Sequence, residues 1–169
     1  MIQVSLDTSF LISFADPNRP HHAIAVDYFR HCLAQRIPMW ISVIAAGEFE
    51  VKQPVGDLPL QNFRIQPYNL AHAIRAAVLF RSLQTANLQP TANDARPIII
   101  NDLKIIAQAE EESIPVILTE DANTLTRIAT RLRQTRSTSV RALLLKDGFT
   151  PGKLENPDQG ELTLPPAAD

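Results

Sequence analysis

Apolar and polar residues alternate at the start of the chain, where Ile2, Val4 and Leu6 are separated by single polar residues. A period of two is typical of a strand with one buried face. Asp7 interrupts the pattern, so we predict that the first strand ends there. Further short apolar runs bordered by turn residues predict strands at residues 39–42, 63–65, 116–118 and 140–145.

Helical patterns lie between these strands, with apolar residues three or four positions apart. They predict a helical stretch at residues 10–12 and helices over residues 23–34, 43–51, 71–88, 98–113 and 122–133. Strands that alternate with helices favour a three-layer α/β/α domain with a central parallel sheet, here of four to five strands. A polar loop is expected over residues 89–97.

The end of the chain has a different character, because prolines, glycines and acids follow Thr150 without periodicity. We therefore predict one domain over residues 1–149 and an acidic, proline- and glycine-containing tail over residues 150–169. The net charge of the whole chain is −2, and four acids lie beyond the last basic residue, Lys153. Without those four negative charges the rest of the chain carries +2, which is compatible with a polyanionic partner.

The composition is that of a globular protein, with 45% hydrophobic and 20% charged residues among 169. The longest apolar runs are far shorter than the ~20 residues that span a bilayer, and the start of the chain lacks the basic segment of an export signal. We therefore expect a cytoplasmic protein that is not associated with a membrane. Cys32 is the only cysteine, so any bound metal is expected to have oxygen ligands.

Two aspartates stand at predicted strand ends, and two further acids stand on apolar helix faces. Asp7 follows the first strand and Asp121 follows the strand at residues 116–118. In parallel sheets, ligands bind at the carboxyl ends of strands. Glu48 shares a helix face with apolar neighbours, whereas Glu50 points elsewhere, and Asp102 shares its face with Ile105, Ile106 and Ala109. A divalent cation such as Mg²⁺ or Mn²⁺ is the natural counter-charge for clustered buried carboxylates.

Each of the four acids also has an ordinary structural interpretation. Asp7 and Asp102 suit helix N-caps, and Asp121 suits a turn. Glu48 suits the boundary of the core, with its carboxylate reaching water. Their joint placement, rather than any one of them alone, indicates a common site.

Four segments of the sequence resemble the signature segments of the PIN-domain family, also called PilT N-terminus-like. They are Asp7-Thr8-Ser9 after a strand, Ser42 six residues before Glu48, the run from Asn101 to Ala109, and Leu118-Thr119-Glu120-Asp121. The resemblance covers roughly residues 1–149. It implies strand order 3-2-1-4-5 and a Mg²⁺ or Mn²⁺ site whose ligands and catalytic groups are Asp7, Glu48, Asp102 and Asp121. It also implies endoribonuclease activity, and it extends to VapC-type toxins, which have a cognate antitoxin and commonly form homodimers.

On this hypothesis, a metal-activated water hydrolyses RNA phosphodiester bonds. We expect hydrogen bonds to the acids from Thr8, Ser9, Thr119 and Asn123, although the hydroxyls equally suit ordinary turns. Candidate RNA contacts are Lys104, Arg127 and Arg131. The two arginines belong to a basic run that continues to Arg133 and Arg136, for which a solvated helix end is the alternative.

Two other functions remain open at this stage: an RNA-processing PIN nuclease without an antitoxin, and a non-catalytic PIN-like module that binds RNA or protein. The four histidines, His21, His22, His31 and His72, have no metal-ligand spacing and are expected at the surface or in loops.

Overall fold

A five-stranded parallel sheet forms the centre of the computed structural model, which describes residues 2–85 and 96–155. The strands are β1 (Val4–Leu6), β2 (Met39–Ser42), β3 (Arg64–Gln66), β4 (Val116–Thr119) and β5 (Arg141–Leu144). Their order is β3-β2-β1-β4-β5, and every neighbouring pair is parallel. The predicted strand order is therefore confirmed.

Helices flank the sheet, as the predicted α/β/α class requires. They are α1 (Thr8–Ala15), α2 (His22–Ala34), α3 (Val43–Glu50), α4 (Leu70–Thr85), α5 (Arg96–Glu111), α6 (Leu125–Gln134) and α7 (Gly152–Glu155). The central strands β1 and β4 are buried along their whole length, because helices cover both faces of a parallel sheet. None of the helices within the described residues is long and apolar enough to cross a bilayer.

Element boundaries differ from the sequence prediction at a few positions. The third strand is shifted by one residue, and α6 begins at Leu125 rather than at residue 122. The late start of α6 has a local cause, since the Asp121 carboxylate accepts hydrogen bonds from the N–H groups of Asn123 and Thr124 and holds a turn there. The predicted end of the fourth helix at residue 88 and most of the predicted loop lie outside the described residues.

Thr150 contacts α2, and the residues after it reach the core. The Tyr28 hydroxyl lies 3.1 Å from the Thr150 Oγ1, and the Leu154 side chain in α7 is buried. Phe149 meets the Tyr28 ring edge-on, with centroids 5.0 Å apart. The remainder of the predicted tail, residues 156–169, lies outside the described residues, and the division at residue 149 stays a prediction.

The expectation that all four histidines lie at the surface or in loops is wrong for His72, which is 1% exposed. It is held at the start of α4 by a reciprocal cap. The Asn69 N–H donates to His72 Nδ1 (3.2 Å), and the His72 N–H donates to Asn69 Oδ1 (3.1 Å). Its other ring nitrogen lies 3.1 Å from the Glu112 carboxylate. Because each of its ring nitrogens has a partner, burial of His72 is tolerated.

A buried polar link fixes α3 against α5. Ser42 accepts the Ile44 N–H as the N-cap of α3 and donates its hydroxyl to Gln108 of α5 at 2.5 Å. The Gln108 amide group in turn donates to the Pro67 carbonyl after β3 (3.3 Å). The link sets the relative position of two helices that carry one candidate acid each, Glu48 and Asp102.

Replacing Gln108 by leucine tests the importance of this link. Gln108→Leu should lower the free energy of unfolding by about 1–3 kcal/mol, because the buried Ser42 hydroxyl loses its acceptor and the buried Gln66 carbonyl loses a donor. Urea denaturation measures the change. Gln61→Leu, at an exposed glutamine, is the matched control, and an equal effect of the two substitutions would contradict the assigned role of the link.

Candidate active site

The carboxyl ends of β1 and β4 bring two candidate acids to one edge of the sheet. The two strands pair in parallel with Leu6 opposite Leu118, and the Asp7 N–H donates to the Leu118 carbonyl at 3.1 Å. Asp7 is the first residue after β1, and Asp121 is the second after β4. Both side chains therefore start from the edge at which ligands of parallel sheets bind.

Asp7 is 5% exposed and caps the N-terminus of α1. Its Oδ2 accepts hydrogen bonds from the Ser9 hydroxyl (2.6 Å), the Thr119 hydroxyl (2.8 Å) and the Ser9 N–H (3.3 Å). Burial raises the pKa of Asp7 above its usual range, although these hydrogen bonds favour the ionised form. The donors all reach the same oxygen and so fix the orientation of the carboxylate.

Glu48 projects from α3 towards the same edge. The Thr8 hydroxyl donates to Glu48 Oε2 at 2.5 Å, and the Asn101 amide donates to Glu48 Oε1 at 2.7 Å. Glu50 is exposed, and its carboxylate accepts the Val55 N–H at 2.6 Å. The two glutamates thus point in different directions, Glu48 towards the other acids and Glu50 towards solvent, as their helix faces predict.

Asp102 lies in an environment that strongly disfavours a negative charge. It is 7% exposed, and its Oδ2 is buried without a hydrogen-bond partner. Burial raises the pKa of Asp102 to about 8; a hydrogen bond from Thr124 opposes the shift, and the negative charges of Asp7, Asp121 and Glu48 add to it. The other three carboxylates therefore lie close enough to Asp102 to disfavour its charge.

Asp121 has the opposite electrostatic environment. Burial disfavours its charge, but hydrogen bonds from the Thr124 hydroxyl and from the N–H groups of Thr124, Asn123 and Leu125 outweigh burial and lower its pKa. Asp121 therefore keeps its charge more readily than Asp7 or Asp102 does.

The ordinary structural interpretations hold for some of these acids. Asp7 is a helix N-cap and Asp121 organises a turn, so both have local roles as well. The N-cap interpretation of Asp102 is wrong, because Asp102 lies inside α5 rather than before it. Asp102 thus occupies a costly position, with one carboxylate oxygen unsatisfied.

The acid cluster has the donor chemistry for a divalent cation but, in the described part of the chain, no ready-made arrangement of ligands. Carboxylates with a buried, unsatisfied oxygen are the ligands that Mg²⁺ and Mn²⁺ prefer. Within residues 2–85 and 96–155, however, no three Asp, Glu, His or Cys side chains are already arranged to hold one ion. The donor chemistry therefore fits a hard cation, whereas the described side chains are not already placed around one ion.

Three of the four predicted hydrogen-bonding residues contact an acid through their side chains: Thr8 at Glu48, and Ser9 and Thr119 at Asp7. Asn123 contacts Asp121 through its backbone N–H. Sequence reasoning missed the side-chain roles of Asn101 at Glu48 and of Thr124 at Asp121. Thr124 stands three residues after Asp121, a spacing that is itself a turn signal.

The predicted RNA contacts lie on two helices. On α5, the Lys104 ammonium stands 5.9 Å from the centre of the Tyr68 ring. Arg127 is exposed near the start of α6, and Arg131 lies one turn further along, where it donates to Gln134 at 3.2 Å. Arg127 is therefore nearer to Asp121 along α6 than Arg131 is.

Together, the fold and the acid cluster define a parallel α/β domain in which three carboxylates act on a fourth, Asp102, at the carboxyl edge of its sheet. A family model described as the PIN domain matches residues 4–131. The chain belongs to the PIN-domain family. No curated protein matches the sequence.

Solved structures show the same fold at low sequence identity. A chain in the DNA-bound VapBC2 structure from Rickettsia felis is 14% identical, with a TM-score of 0.58, and the match covers 83% of this chain and 98% of that one. A chain of DNA-bound VapBC from Salmonella typhimurium is 17% identical, with a TM-score of 0.55, and the match covers 86% of this chain and 99% of that one. For Mycobacterium tuberculosis VapC20, described as a sarcin-ricin loop cleaving toxin, the values are 14%, 0.51, 82% and 99%.

The raised pKa of Asp102 predicts how the free energy of unfolding depends on pH when a chelator keeps the protein free of divalent cations. The ordinary pKa of an aspartate is 3.8 and the pKa of Asp102 in the folded protein is about 8, so between these pH values the folded protein binds more protons than the unfolded chain. Stability should therefore fall as pH rises from about 4 to about 8. Asp102→Asn removes the buried charge and should raise the free energy of unfolding at about pH 9 by more than about 1 kcal/mol.

Urea denaturation at about pH 5 and about pH 9 measures this difference. Asp27→Asn, at an exposed aspartate of α2, serves as the control and should retain the pH dependence of the wild type. An unchanged pH dependence in Asp102→Asn would show that Asp102 is not the group responsible.

Proposed function

We propose that this protein is a Mg²⁺- or Mn²⁺-dependent endoribonuclease, with Asp7, Glu48, Asp102 and Asp121 as cation ligands and catalytic groups. One observation carries the proposal: Asp102 is a buried carboxylate with an unsatisfied oxygen beside three other acids. Such a group is stabilised by a proton or by a cation. A divalent cation offsets more than one negative charge, so it reduces the repulsion between Asp102 and the three other acids.

The chain's own residues have separable roles in this proposal. Ser9 and Thr119 orient Asp7, Thr8 and Asn101 hold Glu48, and the turn after β4 keeps Asp121 ionised; the contacts are those described above. A bound cation supplies an activated water and positive charge opposite the phosphate. Lys104, Arg127 and Arg131 are proposed to contact the RNA backbone.

The biological setting is proposed from the relatives. Structures of VapBC complexes and of a toxin that cleaves the sarcin-ricin loop share the fold. We extend this to a toxin that acts on RNA in the cytoplasm, forms a homodimer and is held inactive by a cognate antitoxin. A non-catalytic binding module is the second candidate, favoured by the absence of a ready three-ligand arrangement within the described residues.

A cleavage assay separates these two candidates. Purified protein freed of any inhibitor should cleave structured RNA with Mg²⁺ or Mn²⁺ and lose activity in EDTA. Asp102→Asn should reduce the rate by roughly 100-fold or more, since even groups that only orient metal ligands contribute 10- to 100-fold. Glu50→Gln, on the other face of α3, is the matched control and should retain activity.

Calorimetric titration with Mn²⁺ should show binding to the wild type and to Glu50→Gln, with much weaker binding to Asp102→Asn. A wild-type protein that binds RNA but neither cleaves it nor binds a divalent cation would favour the binding module instead.

The toxin role has its own test in a host cell. Induced expression of the wild type should arrest growth, whereas Asp102→Asn should allow it, because the arrest depends on catalysis. Immunoblotting must show equal amounts of both proteins, and Glu50→Gln should arrest growth like the wild type. Normal growth with an active wild-type enzyme would indicate an RNA-processing nuclease rather than a toxin.

A further inference from the structure

A pocket of about 450 Å³ is lined by arginines that the proposed cleavage reaction does not use. We call it the arginine pocket and define it by six of its lining residues: Arg75, Glu110, Arg133, Arg136, Thr138 and Arg141. It brings together residues from α4, α5, the end of α6 and the start of β5. Four guanidinium groups against one carboxylate give its described lining an excess of positive charge.

The arginine pocket lies at the opposite end of the sheet from the four acids. Arg141 is the first residue of β5 and pairs with Val116, the first residue of β4, whereas Asp121 follows the other end of β4. Helix α6 connects the two ends, running ten residues from Leu125 to Gln134, or about 15 Å. A ligand in the arginine pocket is therefore bound at a place distinct from the acid cluster.

The one carboxylate in the lining is already engaged. Glu110 accepts hydrogen bonds from Arg75 (3.3 Å), from the Ser139 N–H (3.1 Å) and from the Thr138 hydroxyl. Arg75 also donates to the Ser137 carbonyl at 3.1 Å, but its Nε is buried without a hydrogen-bond partner, 3.9 Å from Glu111. Glu110 thus fixes the wall of the pocket and neutralises only part of its charge.

We propose that the arginine pocket binds a phosphate group. Arginine forks match the paired oxygens of phosphate, and several guanidiniums around one cavity favour a multiply charged anion. Arg133 and Arg141 also make contacts within the protein, so the proposal rests on the balance of charge and on the shape of the lining. The phosphate belongs either to the backbone of an RNA strand or to a small phosphorylated molecule.

The rival explanation is purely structural. Arg133 and Arg136 stand at the C-terminal end of α6, where cations stabilise the helix dipole without any ligand. A test must therefore change the charge of the pocket while leaving the end of the helix intact.

The chain provides a matched pair of sites for this purpose. Arg136 follows α6 with φ 56°, and Arg36 follows α2 with φ 55°. Both are exposed arginines in the same left-handed conformation after a helix, and asparagine is well tolerated there. Arg136→Asn changes the pocket, and Arg36→Asn makes the same change outside it.

The first measurement follows ¹H–¹⁵N spectra during titration with inorganic phosphate in EDTA. The wild type and Arg36→Asn should show saturable shifts at the amides of residues 136–141, and Arg136→Asn should bind roughly tenfold more weakly. Non-saturable shifts in the wild type, or an equal loss in both variants, would overturn the proposal and leave the structural explanation.

The second measurement identifies the source of the phosphate, using fluorescence anisotropy with a labelled RNA oligonucleotide in EDTA. A roughly tenfold weaker affinity for Arg136→Asn, with a shallower salt dependence, assigns the pocket to the RNA backbone. Unchanged RNA affinity with weakened phosphate binding assigns it to a small phosphorylated molecule. Because EDTA removes divalent cations, these results are independent of whether the acid cluster cleaves RNA.

Discussion

A backbone hydrogen bond from the Asp7 N–H to the Leu118 carbonyl joins the carboxyl ends of β1 and β4, and the candidate site depends on this pairing. It places Asp7 and Asp121 at one edge of the sheet. The other two acids arrive on α3 and α5, whose relative position is set by the Ser42–Gln108 hydrogen bond. The cluster is therefore a product of sheet pairing and helix docking, and any change in either would separate its members.

The acids of the cluster combine structural and chemical roles to different degrees. Asp7 and Asp121 help the chain to fold locally, as a helix cap and as a turn, so their hydrogen bonds recover part of the cost of burial. Asp102 recovers little, because one of its oxygens has no partner. Natural proteins tolerate such a cost mainly where function requires it. This asymmetry makes Asp102 the most informative residue of the four.

Local pattern was sufficient for some features, whereas others depend on contacts between distant segments. Alternation located the end of β1 at Asp7, and helix periodicity separated Glu48 from Glu50. The strand order came from the resemblance to PIN domains, since pattern alone does not say which strands are neighbours. The contact between Asn101 and Glu48 joins residues 53 positions apart, and that between the buried His72 ring and Glu112 joins residues 40 positions apart. No local pattern encodes such pairings.

The two ends of α6 lie in regions of opposite charge: it begins beside the acids and ends at the arginine pocket. A molecule with this separation of charge has an electric dipole moment and turns in the field of a polyanion, with its basic end leading. Without a divalent cation, the acidic edge repels an approaching phosphate backbone. If the acid cluster holds the proposed cation, its loading would change the orientation in which the protein meets a polyanion.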